Sequence, residues 1–480
     1  MGSSLRQPEV GADNQSVDIA DLRRRFGGEI ILPADDGYDG ARTAWNAMVD
    51  NRPAVIVRPT DSKDVAVAVG FGRATGLEIG VRCGGHSVIG LSIPDGGLMI
   101  DLSRMRRVRI EADKRRAFVQ GGALLSDLDR ASLAHGLATT AGNVSHTGVG
   151  GLTLGGGIGW LSREFGLACD NVISAEVVTA DGQILRASAT QEPDLYWAIR
   201  GGGGNFGVVT EFEFRLHPIA NSVLTVDFFY DIDDAPQILR AWRELGPAAP
   251  RQAIYTAWVG SAPEWPFLPV ELHGRLLANA GFVWVGDPAE GRRLIEPLRQ
   301  VKAPLAEAIA EMTYLELQTA GDERNAPGTR RYWKGHYLRE LPDAAIEAFL
   351  SRGGELDGAI PANAGFQVFG GAITDVADDE TAYSQRDAVF EMVTSPGWTD
   401  PAEDDARIMG ARRFAAALEP FASGVYVNTL ADEGESGVSA AYRADRLKRL
   451  VAIKDRYDPE NTFHLNHNIR PSGRTEARSS

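Results

Sequence analysis

The chain of 480 residues carries 49 Lys and Arg against 65 Asp and Glu, a formal net charge of -16. That length exceeds one ordinary core and predicts two domains, or one domain with a large insertion. The charge repels phosphate backbones and anionic lipid, which sets aside nucleic acid and membrane surfaces as partners and favours a small molecule. A hydrophobic share of 44% and a charged share of 24% are those of a soluble globular protein, and no apolar run reaches the length of a membrane span. Cys83 and Cys169 are too few for a disulfide framework or a cysteine-based zinc site, and the histidines show no metal-ligand pairing. The polar start, Met1 to Ser16, lacks the basic and apolar parts of a secretory signal, so the expected compartment is the cytoplasm.

In chain order, a short helix is expected near Asp18 to Phe26, then a strand at Ala54 to Pro59 and an amphipathic helix from Ser62 to Thr75, capped by Asp61 or Ser62. A strand from Glu78 into Cys83 completes a β-α-β opening. Further strands are predicted at Leu98 to Leu102, Arg107 to Glu111, Arg116 to Gly121 and Ser174 to Thr179, the last turning at Asp181-Gly182 into Gln183 to Ala187. A helix is expected at Leu125 to His135. From Ser222 the texture changes to alternating strands, Ser222 to Tyr230 and Gly281 to Gly286, separated by helices at Pro236 to Leu245 and Pro288 to Val301. The tail from Tyr442 to Pro471 combines a basic helix, a turn at Asp458-Pro459 and the triplet Asn466-His467-Asn468.

The 54 glycines exceed the usual share of roughly 7%, and they cluster. Val81 to Ser87 (VRCGGHS) ends a strand in a glycine turn, where successive backbone N–H groups converge on an anion. Alone, that double glycine reads as a plain turn and His86 as a structural residue. Gly148 to Gly159 (GVGGLTLGGGIG) and Gly201 to Gly207 (GGGGNFG) are two more glycine loops. Neither has the strand-GxGxxG-helix context of a nicotinamide-binding fold or the GK[ST] ending of a P-loop. Three such loops cost backbone entropy unless something passes close to the chain, and a large flat cofactor with a diphosphate accounts for all three.

Taken together in order, RCGGHSVIG (82–90), GVGGLTLGGGIGWLSREFGLACDNV (148–172), DLYWAIRGGGGNFGVVT (194–210) and YDPENTFHLNHNIRP (457–471) resemble the berberine-bridge-enzyme-like branch of the vanillyl-alcohol-oxidase flavoproteins. The resemblance spans nearly the whole chain. It implies an α+β fold: a two-part, PCMH-type FAD-binding domain from residues 1–220 and a tail from 441–480, with an inserted α+β substrate domain, an antiparallel sheet flanked by helices, over 221–440. It implies FAD bonded through its 8α-methyl carbon to His86, a link that makes the ring a stronger electron acceptor. The remaining FAD contacts it implies are Arg82, Cys83, Gly84, Gly85, Ser87, Thr147, Gly148, Gly151, Gly155, Gly156, Asn171, Val208, Asn466 and Asn468. Where many members have a second, cysteinyl link in a G-x-C-P-T-V segment, this chain reads Gly142-Asn143-Val144-Ser145-His146-Thr147. Val144 holds the cysteine's place, so a single link is expected, with Cys169 a buried free thiol. Thr147 falls at the position that gates dioxygen in relatives.

On the substrate side the same resemblance offers two bases. A carboxylate after Gly370-Gly371 corresponds by offset to Asp378. The second tyrosine of a Y-x-N-Y segment is replaced by Thr429 in Tyr426-Val427-Asn428-Thr429, and a threonine has no accessible pKa for that role. Tyr426 and Asn428 remain as candidates, with Tyr332 beside Lys334 and His336; a tyrosine lowered in pKa by a neighbouring cation is a competent base, while the plainer reading makes these residues a pocket wall. His467 reads as a packing residue near the flavin. The expected function is hydride transfer to flavin from a C–H bond next to an alcohol, hemiacetal or amine, with dioxygen reduced to hydrogen peroxide. The alternatives are a dehydrogenase of the same fold with another acceptor, and a flavin-binding protein without turnover. Oligomeric state and substrate identity stay open.

Overall fold

The computed structural model describes residues 19–354 and 359–473; the polar lead and Asp18 lie outside these. The first helix, Ile19–Arg25, and the strand Val55–Arg58 fall where the sequence places them. The helix Ser62–Thr75 begins at Asp61, whose carboxylate accepts from the N–H groups of Lys63 and Asp64, and ends at Gly76 in the left-handed conformation. Three consecutive apolar positions in each of Val55–Arg58 and Leu98–Asp101 are buried, as a strand covered on both faces requires. Val55–Arg58 and Ile79–Arg82 flank Leu98–Asp101 in parallel, with Glu29–Ile31 antiparallel at the edge. This small sheet hands the chain from Arg82 into the first glycine turn.

Two antiparallel sheets complete the architecture. The first orders Val108–Glu111, Arg116–Gln120, Val208–Arg215, Val172–Val178 and Ile184–Ser188. The second has seven strands in the order Ala306–Met312, Val223–Asp231, Leu276–Val285, Ala253–Ser261, Ala364–Val368, Phe390–Thr394 and Lys334–Leu338. One face of the second sheet presents Ala257, Phe366 and Met392 to a core with Trp242, Phe349 and Phe414 from the helices Ala235–Ala248, Asp343–Ser351 and Asp404–Leu418. Because strand side chains alternate, the residues between them point the other way. Two cross-strand rows result: Thr256, Gln367, Glu391 and Tyr337; and Trp258, Gly365 and Val393.

The region 221–440 does not keep to one core. Phe369, Ile373, Tyr383, Tyr426 and Val427 pack instead with the interior of the five-stranded sheet. The tail helix Ala444–Tyr457 joins the same cluster through Leu450, Ile453 and Tyr457. No helix among the described residues is long and apolar enough to cross a membrane.

The tail is tied to the third glycine loop by a fully buried ion pair. Lys454 Nζ lies 2.7 Å from Asp458 and also donates to the carbonyls of Asn205 and Phe463. Asp458 accepts from the N–H groups of Thr462 and Phe463, so both charges are satisfied. Asn205 in turn donates to Gly202 and His467 carbonyls and accepts from Ile469 N–H. Removing one partner leaves the other charge buried and unpaired, at a cost of about 3–5 kcal/mol. Lys454→Met is therefore expected to lower the denaturant midpoint sharply with an unchanged slope; a wild-type midpoint in urea unfolding would remove the pair from any structural role.

Candidate active site

A cavity of about 1060 Å³ lies between the glycine loops and the open face of the seven-stranded sheet. Pockets for one drug-sized ligand span roughly 300–1,000 Å³, so this one has room for a dinucleotide and a small second molecule. Its floor is built from backbone. A Cβ placed on Gly84 would sit 2.4 Å from Gly148 N, and one on Gly148 would sit 2.4 Å from Gly84 N and 2.5 Å from Cys83 Sγ. Neither loop tolerates a side chain there. Cys83 itself lines the floor; burial raises its thiol to about 11, which keeps it protonated and unreactive.

Gly85, with φ at 70°, turns the chain so that the next residue, His86, enters the cavity wall. Its ring is stacked on Trp45, centroids 4.6 Å apart and planes 15° off parallel, and the Arg331 guanidinium lies 4.4 Å from the centroid of the Trp45 ring. His86 Nε2 sits 2.7 Å from His146 Nδ1, while the one partner of His86 Nδ1 among the described residues is Thr147 Oγ1, at 3.4 Å. Burial, then the neighbouring His146 and Arg331, lower the His86 pKa to about 3. The ring is neutral at physiological pH, with a lone pair available for bonding.

The remaining wall of this half comes from Val144, Thr147, Gly148, Gly151, Gly203, Gly204, Asn205, Gly207 and Val208, with Phe463, Asn466 and His467 from the tail. Asn466 Oδ1 is buried without a partner among the described residues, a polar atom in the wall that calls for a bound group. Burial holds His467 at about 4, so it contributes no charge.

The opposite half is the sheet. Thr256, Trp258, Gln367, Glu391 and Val393 line it, with Trp265, Trp333 and Trp398 at its sides. Glu391 is 5% exposed, and burial, opposed by a hydrogen bond from Gln367 Nε2, raises its carboxyl to about 7. A carboxyl titrating there is poised to take or give a proton near neutrality.

The family described as "FAD binding domain" matches residues 53–188, and that described as "Berberine and berberine like" matches 425–470. An uncharacterized FAD-linked oxidoreductase of Bacillus subtilis is 30% identical over 467 residues, covering 94% of this chain and 99% of the relative. The chain belongs to the berberine-bridge-like FAD-linked oxidoreductases. (R)-6-hydroxynicotine oxidase of Paenarthrobacter nicotinovorans is also 30% identical, covering 93% of this chain and 97% of the relative. Glucooligosaccharide oxidase of Acremonium strictum, whose structure carries a 6-S-cysteinyl, 8α-N1-histidyl FAD, superposes with a TM-score of 0.84 at 26% identity over 94% of this chain and 99% of that one. The mixed helices and antiparallel sheets are thus the PCMH-type α+β fold, and the cofactor is FAD.

Several expected contacts of this berberine-bridge-like chain fall elsewhere. Arg82 donates from Nη1 to the Ala41 carbonyl, and Asn171 is held by Phe165 and Leu167 carbonyls and by His217, so neither reaches the cavity. Gly155 and Gly156 face Asn428 and Tyr383 behind the wall, and Asn468 is outside the lining as well. Ser87 lines the cavity but its hydroxyl accepts from Leu91 N–H. Val144 lines it with no thiol, while Cys169 is buried elsewhere beside Asp170.

Two catalytic candidates are corrected. Asp378, half-exposed, pairs with Arg443 and Arg446 on the outside, because the chain after Gly371 forms a short 3-10 turn and an outer loop before re-entering the sheet at Phe390. Tyr332 is buried outside the cavity, its hydroxyl donating 2.8 Å to Asp432 and accepting from Arg412, and burial raises its pKa rather than lowering it. Lys334 pairs with Glu433, and His336 faces the Ala415 carbonyl. Tyr426 and Asn428 do line the cavity, but the Tyr426 hydroxyl accepts from Gly157 N–H and Asn428 Nδ2, each at 2.9 Å, and burial raises its pKa too. It is a structural acceptor, not a base. Sequence reading missed Glu391, although a lone Glu in the apolar run Phe390-Glu391-Met392-Val393 was its signal. Gly84→Ala is expected to lose bound flavin, because the new methyl collides with backbone; flavin absorbance per mole of purified protein measures it.

Proposed function

We propose that this protein is an FAD-dependent oxidase in which His86 holds the flavin covalently and Glu391 is the base for a substrate with a C–H bond next to an alcohol, hemiacetal or amine. The observation that carries it is the placement of Glu391, a buried carboxyl held at about 7, across one cavity from a neutral His86. Bound there, the flavin supplies the hydride acceptor. Glu391 takes the proton from the substrate O–H or N–H, and Gln367 holds the carboxyl in place. Walls of Trp45, Trp258, Trp265, Trp333 and Trp398 exclude water and suit a ring-bearing substrate. The oxidases of glucooligosaccharides and of 6-hydroxynicotine among its relatives support an alcohol, hemiacetal or amine as the reacting group. A single histidyl link fits Val144 in the wall and Cys169 away from it.

A same-fold dehydrogenase with another acceptor is favoured by one feature, the polar Thr147 beside His86 where relatives gate dioxygen. Oxygen uptake set against dye reduction separates the two.

Flavin should stay with wild-type and Cys169→Ala protein through denaturing precipitation and be released from His86→Ala; release from wild type would end the covalent reading. With glucooligosaccharides or 6-hydroxynicotine as the probe, turnover should rise with pH as Glu391 loses its proton around 7 and then level. Glu391→Gln should lower turnover about 10²–10⁴-fold, the usual worth of a general base, and abolish that rise. A variant with unchanged turnover would acquit Glu391.

A further inference from the structure

His146 stands just outside the cavity wall, behind His86, and nothing in the flavin or substrate site uses it. Its ring centroid is 4.8 Å from that of His86, tilted by 38°, and its Nδ1 is 2.7 Å from His86 Nε2. Its own Nε2 is buried with no hydrogen-bond partner. Here the ring's one polar contact among the described residues is His86.

The contact couples the tautomers of the two rings, one nitrogen donating and the other accepting. With His146 Nδ1 as acceptor, His86 carries its proton on Nε2 and its lone pair on Nδ1, the nitrogen whose one neighbour is Thr147 Oγ1 at 3.4 Å. In the reverse tautomer Nδ1 bears the proton and cannot form a bond to carbon. We infer that His146 is the proton acceptor that activates His86 for covalent attachment of the flavin, taking the Nε2 proton as Nδ1 bonds to the 8α carbon. The inference rests on the covalent reading above.

The step balances as follows. One C–H bond of the 8α-methyl group is replaced by a C–N bond to His86 Nδ1. The carbon-bound proton and the Nε2 proton are released, two electrons enter the flavin ring, and dioxygen, the required oxidant, removes them as hydrogen peroxide. Without an acceptor, the Nε2 proton would leave a cationic imidazolium in a dry wall already facing Arg331. Stacking on Trp45 keeps the ring from turning away, so the proton has one exit.

The test compares wild type, His146→Ala, His146→Gln and His86→Ala, each loaded with FAD in air. Two quantities are read: total flavin bound by native protein, and flavin retained after acid denaturation. The two His146 variants should bind FAD without the link, with the covalent fraction formed in a fixed time reduced at least tenfold. Added imidazole should restore part of it in His146→Ala, whose space admits the ring. Wild-type attachment in His146→Ala overturns the inference. So does wild-type attachment in His146→Gln, which still accepts a hydrogen bond but no proton, because it reduces His146 to a positioning residue. If His146→Ala fails to bind FAD, the Gln variant decides. Covalent flavin in His86→Ala would instead strike the underlying reading, not this step.

Discussion

Two glycine turns from different parts of the chain touch backbone to backbone at Gly84 and Gly148, and the catalytic half of the molecule is organised around that approach. A methyl group on either residue would have to occupy space held by a main-chain nitrogen, which cannot swing aside as a side chain can. Because the turns meet, the strand Ile79–Arg82 and the helix Val149–Leu154 are brought end to end across the cavity floor. His86, two residues after Gly84, and His146, two residues before Gly148, then fall within hydrogen-bond distance of each other. The histidine pair is a consequence of the glycine contact, and so is the stack of His86 on Trp45.

The roof is anchored differently. Period-2 alternation divides the seven-stranded sheet into an apolar face covered by helices and a mixed face over the cavity. Glu391 belongs to the second face by register alone: its neighbours Phe390 and Met392 are in the helix-backed core. A slip of one residue would exchange a core methionine for a carboxylate. The shared core of Tyr383, Tyr426 and Tyr442 with the five-stranded sheet then fixes the roof over the floor. Tyr426 uses its hydroxyl for this task, accepting from Gly157 N–H, while burial holds the phenol proton on.

Local signals were legible in the sequence to the extent that they are local. Asp61 before Ser62, the turn at Asp181-Gly182 and the three glycine clusters each announce a backbone requirement within a few residues, and the strands and helices around them lie within two or three residues of expectation. The strand expected at Gly281 starts earlier, at Leu276, because Leu276 to Ala280 carries one polar residue, Asn279, among small and apolar ones and shows no alternation to read. Tertiary gathering was not legible. The tryptophan wall comes from residues 45, 258, 265, 333 and 398, which share no motif. Asp378 was placed by counting from Gly370-Gly371, and counting fails where an outer loop intervenes between the glycines and the strand. His146 was passed over because its segment was read for the cysteine it lacks.

Burial assigns the roles in and around this cavity. Removing water disfavours whichever form is charged, so it lowers a histidine and raises a carboxyl or a phenol. For His86 the result is a neutral ring at every physiological pH, the form that can share a lone pair. For Glu391, with one neutral donor in Gln367 and no cation beside it, the result is a carboxyl that titrates near 7 rather than near 4. For Tyr426 and Tyr332 the same loss of water raises the phenol pKa, away from neutrality, and Arg412 beside Tyr332 is outweighed. A tyrosine base would need a buried guanidinium or ammonium facing the phenol and free of acid partners. Lys334 is neutralised by Glu433 and Arg412 is shared with Asp432, so the cations that sequence proximity offered are already engaged. What desolvation leaves competent to move a proton at the roof is the carboxyl of Glu391.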